Sequence, residues 1–323
     1  MLIRPIGETI ADVLEGRAQG VVVNDDWMEV IRSIPDQSID HVIMDPPYEA
    51  EAHTQQRRVK RGILGVAESE PIAFPPMTEM ERNLIGHECG RITKRWALAF
   101  CQAEALPLWI DSFVTHGGLA YKRACIWVKK LGPGCQPQLT GDRPGMGYET
   151  MCLAHAPGRS RWNGGGKVGV YPFDKFSAYD QKAHPTQKPI LLMEALIRDL
   201  TDPGEIVLDP YAGSGTTAVA CVRLGRRFIA IERDPTFYAT ALRRISDARE
   251  QSDLLSNDAF VQRAKTKRKQ GTFELGGTDE IPERAPVGND EDEALTEGGT
   301  TDAAMLTMPR ADHHGEDNDG HGG

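Results

Sequence analysis

Residues 189–250 constrain the fold more than any other part of the chain. PILLMEALIRDL (189–200) has the apolar spacing of an amphipathic helix, EIVLDP (205–210) reads as a strand and AGSGTT (212–217) as a glycine turn. TAVACVRLG (217–225) returns to helix, RFIAIER (227–233) to strand and PTFYATALRRISDARE (235–250) to helix. Two strands of one sheet joined through a helix must run parallel, so this alternation predicts a βαβ unit.

The same grammar continues upstream. GVVVN (20–24) predicts a strand, 27–34 a short helix and 40–44 a second strand. Residues 49–76 read as a long loop with a basic run, QQRRVKR (55–61). Loops of that length are usually functional or mobile. A helix is expected over 77–95, strand over 96–101, helix over 103–116, and strands over 119–130 and 148–154. Residues 158–184 hold few aliphatics but many Gly, Arg and aromatics, and predict an irregular insertion. Together these give an α/β domain over 1–255 with a mostly parallel central sheet.

Charge separates the body from the tail. Residues 271–323 hold 14 Asp/Glu and two Arg, whereas 1–270 hold 35 Lys/Arg and 33 Asp/Glu. The acidity of the whole chain therefore does not argue against a nucleic-acid partner for the body. Residues 256–323, a basic segment (AKTKRKQ, 264–270) followed by a Gly-rich acidic stretch with almost no aromatics, predict a disordered tail. No run of 18 apolar residues is present, and the N-terminus lacks the apolar centre of a signal peptide. A cytoplasmic protein without a membrane partner is expected. The six cysteines include no Cys-x-x-Cys pair, so reduced thiols and no metal are the expectation.

Two stretches carry chemistry. In Asp209-Pro210-Tyr211-Ala212-Gly213-Ser214-Gly215-Thr216, glycines between strand and helix let the backbone pass close to a ligand, beside free N–H groups. Glu232, at the end of the next strand, is placed to bind ribose hydroxyls. A tight turn without a ligand is the competing reading of the glycines in isolation. Ala218 fits the third position of a dinucleotide fingerprint, but the preceding Asp-Pro-Tyr fits it poorly. No Gly-Lys-Ser/Thr follows, which excludes a Walker loop.

The second stretch is Asp45-Pro46-Pro47-Tyr48, directly after the apolar run Val42-Ile43-Met44. Two prolines fix φ twice and remove two donors, so the loop is stiff and rich in acceptors. Asp45 and the Pro46 carbonyl can each accept one N–H of an exocyclic amine while Tyr48 stacks on its ring. A Pro-Pro turn with a solvated Asp and a packed Tyr is the competing reading of those four residues alone.

Taken together, and in this order, these segments resemble the amino-type DNA methyltransferases that use S-adenosylmethionine. The resemblance covers roughly 20–250. The Asp-Pro-Pro-Tyr loop precedes the glycine turn, which is the β-group arrangement of that family. Asn24-Asp25-Asp26-Trp27 and His184-Pro185-Thr186-Gln187-Lys188-Pro189 match further family segments.

The resemblance implies a Rossmann-like methyltransferase fold and transfer of a methyl group to a flipped base in double-stranded DNA. It implies that Asp45, Pro46, Pro47 and Tyr48 hold the target base. Gly213, Ser214 and Gly215, with Asp209, Tyr211 and Thr216 of the same turn, would line the cofactor. Thr186 and Lys188 would lie near its carboxylate, Glu232 at its ribose and Asp26 at its adenine. Asp26 as a helix cap and Lys188 as a solvated lysine are the plain alternatives, and Asn24 stands where the family often has Gly.

By the same resemblance, 156–183 is the candidate recognition insertion, offering Arg159, Arg161, Trp162, Asn163, Lys167, Tyr171 and Tyr179. Arg57, Arg58, Lys60 and Arg61 would supply phosphate contacts. An Asp at position 45 resembles the adenine-N6 enzymes more than the cytosine-N4 ones, which more often carry Ser. Cytosine-N4 transfer, methylation of a protein or RNA amine, and DNA binding without turnover remain alternatives, as do a monomer or a homodimer. A nicotinamide dehydrogenase is a distant rival.

Overall fold

The computed structural model describes residues 7, 9–48, 75–130, 147–174 and 187–256. All of them lie in one unit, Met1–Gly271. The expected disordered tail lies outside the described residues, as does most of the 49–76 loop.

Among the described residues, eight strands form one sheet: β1 (Gly20–Val23), β2 (Ile39–Met44), β3 (Thr93–Cys101), β4 (Ala120–Lys130), β5 (Tyr148–His155), β6 (Val170–Asp174), β7 (Ile206–Asp209) and β8 (Arg227–Ile231). Their order across the sheet is β1-β8-β7-β2-β3-β5-β4-β6. Five neighbours, β1, β8, β7, β2 and β3, run parallel. β5 runs against β3 and β4, and β6 lies parallel to β4 at the edge.

Helices cover both faces, and side-chain alternation decides which residue meets which layer. Val42, Met44, Ala97, Ala99, Leu208 and Ile229 join one core with α1 (Ile10–Leu14), α2 (Trp27–Ile31), α3 (Glu79–Ile92) and α4 (Leu106–Asp111). α4 continues into a wider turn over Ser112–His116. Ile43, Leu98, Phe100, Val207, Phe228 and Ala230 point the other way. They pack with α5 (Ile190–Leu200), α6 (Thr216–Leu224) and α7 (Pro235–Ser256). The predicted elements are all present, with ends that shift by a few residues.

The difference lies in the expected irregular insertion, where Val170–Asp174 forms β6 despite Pro172. A proline lacks the N–H that a central strand must donate, but an edge strand has one unpaired side. β6 is such an edge. α1 is a further element with no sequence expectation. It starts on a capping box in which the Thr9 hydroxyl accepts from Asp12 N and Asp12 accepts from Thr9 N.

The topology brings chemistry to one edge. Asn24-Asp25, Asp45, Asp209 and Glu232 follow the C-terminal ends of the parallel strands β1, β2, β7 and β8. β5 runs the opposite way, so its first residues, Tyr148 and Glu149, reach that same edge. In open α/β sheets this is where ligands bind.

Candidate active site

β2 ends because Pro46 and Pro47 cannot donate to a neighbouring strand, and its pairing stops at Met44. The chain then turns at the mouth of a pocket of about 410 Å³. Asp45, Pro46, Pro47 and Tyr48 form one wall. Asp209, Tyr211, Gly213, Ser214, Thr216 and Glu232 line the pocket beside them, since β2 and β7 are neighbouring strands. Two motifs 164 residues apart, counted from Asp45 to Asp209, therefore share a single cavity.

The glycine turn is built to leave room. Gly213 has φ +52°, and a Cβ added there would meet no atom within 4 Å, so it would project into open space. Its N–H donates to Glu232 Oε2 at 2.7 Å, and Asp234 N donates to Glu232 Oε1 at 2.8 Å. Glu232 is thus fixed by two backbone donors and keeps further lone pairs for a ligand. Gly215 has a different task. It caps α6 with φ +79°, and a Cβ there would lie 2.8 Å from Ala241 Cβ. That glycine serves close packing of α6 on α7 and does not line the pocket.

Asp209 is buried, and burial pushes its carboxyl up to about 7. Its Oδ1 accepts from Tyr211 N at 3.0 Å and its Oδ2 from the Thr217 hydroxyl at 2.5 Å. Tyr211 tilts against Trp27 with ring centroids 5.7 Å apart, and both rings line the pocket. The Tyr211 hydroxyl is buried without a hydrogen-bond partner among the described residues.

Asp25 lines the pocket, whereas Asp26 does not. Asp26 caps α2 by accepting from Met28 N at 2.9 Å. The cap alternative describes Asp26, and its neighbour takes the pocket position.

Lys188 occupies a place that sequence reasoning did not foresee. Its Nζ donates to Asp45 Oδ1 at 2.8 Å and Oδ2 at 2.7 Å, and lies 3.0 Å from Glu149 Oε2. It sits 4.9 Å from the Phe100 ring centroid and 5.5 Å from that of Tyr48. Its ammonium therefore serves the carboxylates of the Asp-Pro-Pro-Tyr side. The Tyr48 hydroxyl donates to Glu149 Oε2 at 2.8 Å, and Lys129 Nζ meets Glu149 Oε1 at 2.7 Å.

Burial disfavours charge on Lys188, but Asp45 and Glu149 outweigh it and raise the ammonium above its usual value. Burial likewise opposes charge on Glu149, yet Lys188 and Lys129 bring it down to about 2. For Asp45, burial dominates and pushes the carboxyl up, with Lys188 opposing and the Glu149 charge adding to the rise. Glu149 and Lys129 belong to no motif. The signal available was an acidic residue at the head of an otherwise apolar strand, the counterpart of Asp45 at the foot of another.

The candidate recognition residues stand elsewhere. Arg161 pairs with Asp202 at 2.9 Å and Lys167 with Asp199 at 2.6 Å. Asn163 donates to Thr201 O and Asp202 Oδ1, both at 3.0 Å. Trp162 packs edge-on against Trp96. Tyr171 is buried with its hydroxyl 3.0 Å from Asp199 Oδ2, and Arg159 is exposed. The partners of Arg161, Asn163 and Lys167, Asp199–Asp202, run from the last turn of α5 into the connection to β7, at the opposite edge of the sheet from the pocket. Arg161, Asn163, Lys167 and Tyr171 thus make polar contacts within their own domain, away from the pocket. Thr186, Tyr179 and the basic residues Arg57, Arg58, Lys60 and Arg61 lie outside the described residues.

Comparison with known proteins bears on this geometry. The DNA methylase family profile matches residues 154–243. Over that stretch the chain resembles the DNA methylases. It is 35% identical over 105 residues to the DNA adenine methyltransferase YhdJ of Escherichia coli, an alignment spanning 32% of this chain and 33% of that protein. It is 26% identical over 258 residues to the type II methyltransferase M.HinfI of Haemophilus influenzae, covering 70% of this chain and 68% of the relative. Thus the chain spans about a third of the length of one curated relative and about two thirds of the other.

Among solved structures, PvuII DNA methyltransferase (cytosine-N4-specific) superposes with a TM-score of 0.55 at 16% identity, covering 72% of this chain and 92% of that one. The M1.HpyAVI–SAM complex superposes with a TM-score of 0.51 at 23% identity, covering 70% and 98%. The fold is that of the DNA methyltransferases.

The pocket suits a ligand of the kind held in the M1.HpyAVI–SAM complex. Its volume lies in the usual range for small-molecule sites. Seven carboxyl groups line it against three basic side chains, an environment suited to a cationic sulfonium. The open space over Gly213, the fixed Glu232 carboxylate and the unpartnered Tyr211 hydroxyl supply a cradle and polar contacts. Among the described residues no cluster of His, Cys, Asp and Glu could hold a metal ion, and no helix is long and apolar enough to cross a membrane.

Proposed function

We propose that this chain transfers a methyl group from S-adenosylmethionine to the exocyclic amino group of a base flipped out of double-stranded DNA, with adenine N6 as the acceptor. One observation carries this reading: Asp45-Pro46-Pro47-Tyr48 and the Gly213 turn line a single pocket at the ends of neighbouring strands. The adenine assignment draws on Asp45 at the first loop position and on the relative named as an adenine methyltransferase.

S-adenosylmethionine, when bound, supplies an electrophilic methyl group. The residues of the chain do the rest by positioning. An aromatic amine is a poor nucleophile because its lone pair is delocalised into the ring. Asp45 and the Pro46 carbonyl accept its two N–H bonds and return electron density to nitrogen. Tyr48 offers its ring face to the flipped base. Fixed dipoles and orientation account for the rate, without a covalent enzyme intermediate. Asp45, whose carboxyl burial has pushed up, takes the proton that the alkylated nitrogen sheds. The three carboxylates Asp25, Asp209 and Glu232 and the aromatic rings Trp27 and Tyr211 hold the cofactor.

The DNA contacts of this reading fall on Arg57, Arg58, Lys60 and Arg61. The flanks of that segment, Tyr48 and Pro75, both line the pocket. The deciding experiment incubates the full chain with labelled S-adenosylmethionine and unmethylated genomic DNA, then analyses the nucleosides. N6-methyladenine is expected. N4-methylcytosine would keep the mechanism and reverse the base, and absence of transfer with cofactor bound would overturn the reading.

A further inference from the structure

Asp45 meets Lys188 through both carboxylate oxygens, at 2.8 and 2.7 Å. On the proposed reading, those same oxygens must accept an amino N–H. A charge-assisted bond is roughly twice as strong as a neutral one, so a neutral amine cannot displace an ammonium unless the ammonium has another anion to hold. The structure offers one. Glu149 Oε2 lies 3.0 Å from Lys188 Nζ and accepts the Tyr48 hydroxyl at 2.8 Å. Glu149 is itself anchored, since Lys129 Nζ holds its other oxygen at 2.7 Å. The rings of Phe100 and Tyr48 flank the ammonium at 4.9 and 5.5 Å to their centroids. Aromatic faces at that distance stabilise a cation that shifts between two carboxylates.

We propose that Glu149 is a positioning residue for methyl transfer: it takes over the Lys188 ammonium, and fixes the Tyr48 ring, when the target amine enters, so that Asp45 is released to the base. This inference rests on the methyl-transfer reading and deepens it. In the step itself the amine lone pair forms the nitrogen–carbon bond, the carbon–sulfur pair stays with sulfur and one N–H proton passes to Asp45 and on to water. Glu149 exchanges no proton. It keeps a charge.

The groups that face Asp45 come from six elements. Lys188 precedes α5, Glu149 is the second residue of β5, Lys129 the last but one of β4, Tyr48 follows β2, Asp209 ends β7 and Glu232 follows β8. Two carboxylates and two ammonium groups balance in the cluster of Asp45, Glu149, Lys188 and Lys129. Without the Glu149 charge, Asp45 becomes the sole close counterion of Lys188. It would then ionise more readily and release Lys188 less readily.

The test compares wild type, Glu149→Gln and Lys129→Met in the full chain. The rate of methyl transfer to DNA is followed against pH, together with affinity for S-adenosylhomocysteine and the carboxyl ¹³C titration of Asp45. In Glu149→Gln, kcat is expected to fall roughly tenfold or more while KM for DNA changes within about threefold. Affinity for S-adenosylhomocysteine stays within about threefold. The acid limb of kcat and the Asp45 titration both move to lower pH. In Lys129→Met, which removes a cation, both move to higher pH. Opposite displacements are the signature, and a merely structural role would not produce them. Wild-type kcat with an unmoved acid limb in Glu149→Gln would overturn the inference, as would a joint fall of kcat and melting temperature with Asp45 titrating as in wild type. If Glu149→Gln does not fold, the Lys129→Met displacement decides. Should wild type transfer no methyl group, the functional reading fails on its own, and the Asp45 titrations still decide the coupling to Glu149.

Discussion

β2 carries a charged cluster at each end, and the two behave differently. At its C-terminal end, Asp45 joins Lys188, Glu149, Lys129 and Tyr48. Near its N-terminal end, fully buried His41 donates or accepts through Nε2 at 2.8 Å from Glu205 Oε2, and Arg95 binds the same carboxylate. Arg161 and Asn163 close over Asp202 beside it. Both clusters hold carboxylates against cations, and their exposures are similar: 29% for Asp45, 21% for Glu205 and 30% for Asp202. The first lines a 410 Å³ pocket. The second lines none of that pocket, and its carboxylates are taken up by His41, Arg95, Arg161 and Asn163. A network spent on its own contacts stabilises the fold, and one that faces a pocket keeps lone pairs for a ligand. The same chemistry thus reads as packing at one edge and as reactivity at the other.

Substitutions at matched positions should break that contrast if it is wrong. The largest effect is expected at the pocket edge. Asp45→Ala should lower methyl transfer by about a thousandfold, with affinity for S-adenosylhomocysteine nearly intact in calorimetry. An equal loss of cofactor affinity would move Asp45 out of the base site.

At the other end of β2, Glu205→Gln should cost about 2 kcal/mol of stability in denaturant titration and leave kcat unchanged. Its pH dependence follows from its surroundings. Burial works to raise the Glu205 carboxyl, but His41, the Asp202 N–H and Arg95 bring it down to about 2. A carboxyl lowered in the folded state contributes stability that is fully present above its unfolded value of about 4.5 and is lost as pH falls toward 2. Wild type should therefore lose stability across that window more steeply than Glu205→Gln. Parallel curves would show that Glu205 is not held as described.

Gly213→Ala tests the cradle. A left-handed φ costs a non-glycine residue about 1 kcal/mol, and the new methyl projects into the cofactor space. Cofactor affinity should fall by about tenfold with little change in melting temperature. The smallest effect is expected at Arg161, whose side chain is 67% exposed. Arg161→Ala should change stability by less than about 0.5 kcal/mol and leave DNA affinity in place. A marked loss of DNA affinity would restore this segment as a reader of the target sequence.

Much of the fold was legible because its strands alternate between two helical layers, as Val42, Ile43 and Met44 do. The two motifs were legible because prolines and glycines impose local geometry wherever they stand. β6 was not, since Pro172 is unfavourable in a strand until the strand is known to be an edge. Asp25 and Asp26 are adjacent carboxylates, and only the start of α2 separates cap from pocket wall. Arg161, Asn163 and Lys167 have the composition of a DNA-reading loop. Their intramolecular partners, Asp199 and Asp202, come from another segment and complete no local pattern.

The sequence by itself determined a parallel α/β domain, a stiff acceptor-rich loop and a glycine cradle, because period, φ restriction and turn chemistry act over a few residues. Only the tertiary structure decided that Lys188 pairs with Asp45 and that Glu149 and Lys129 complete the cluster. Those contacts join residues from four elements, and their energies depend on distance and burial, which arise only when β5 runs antiparallel and delivers Glu149 to the edge where Asp45 ends.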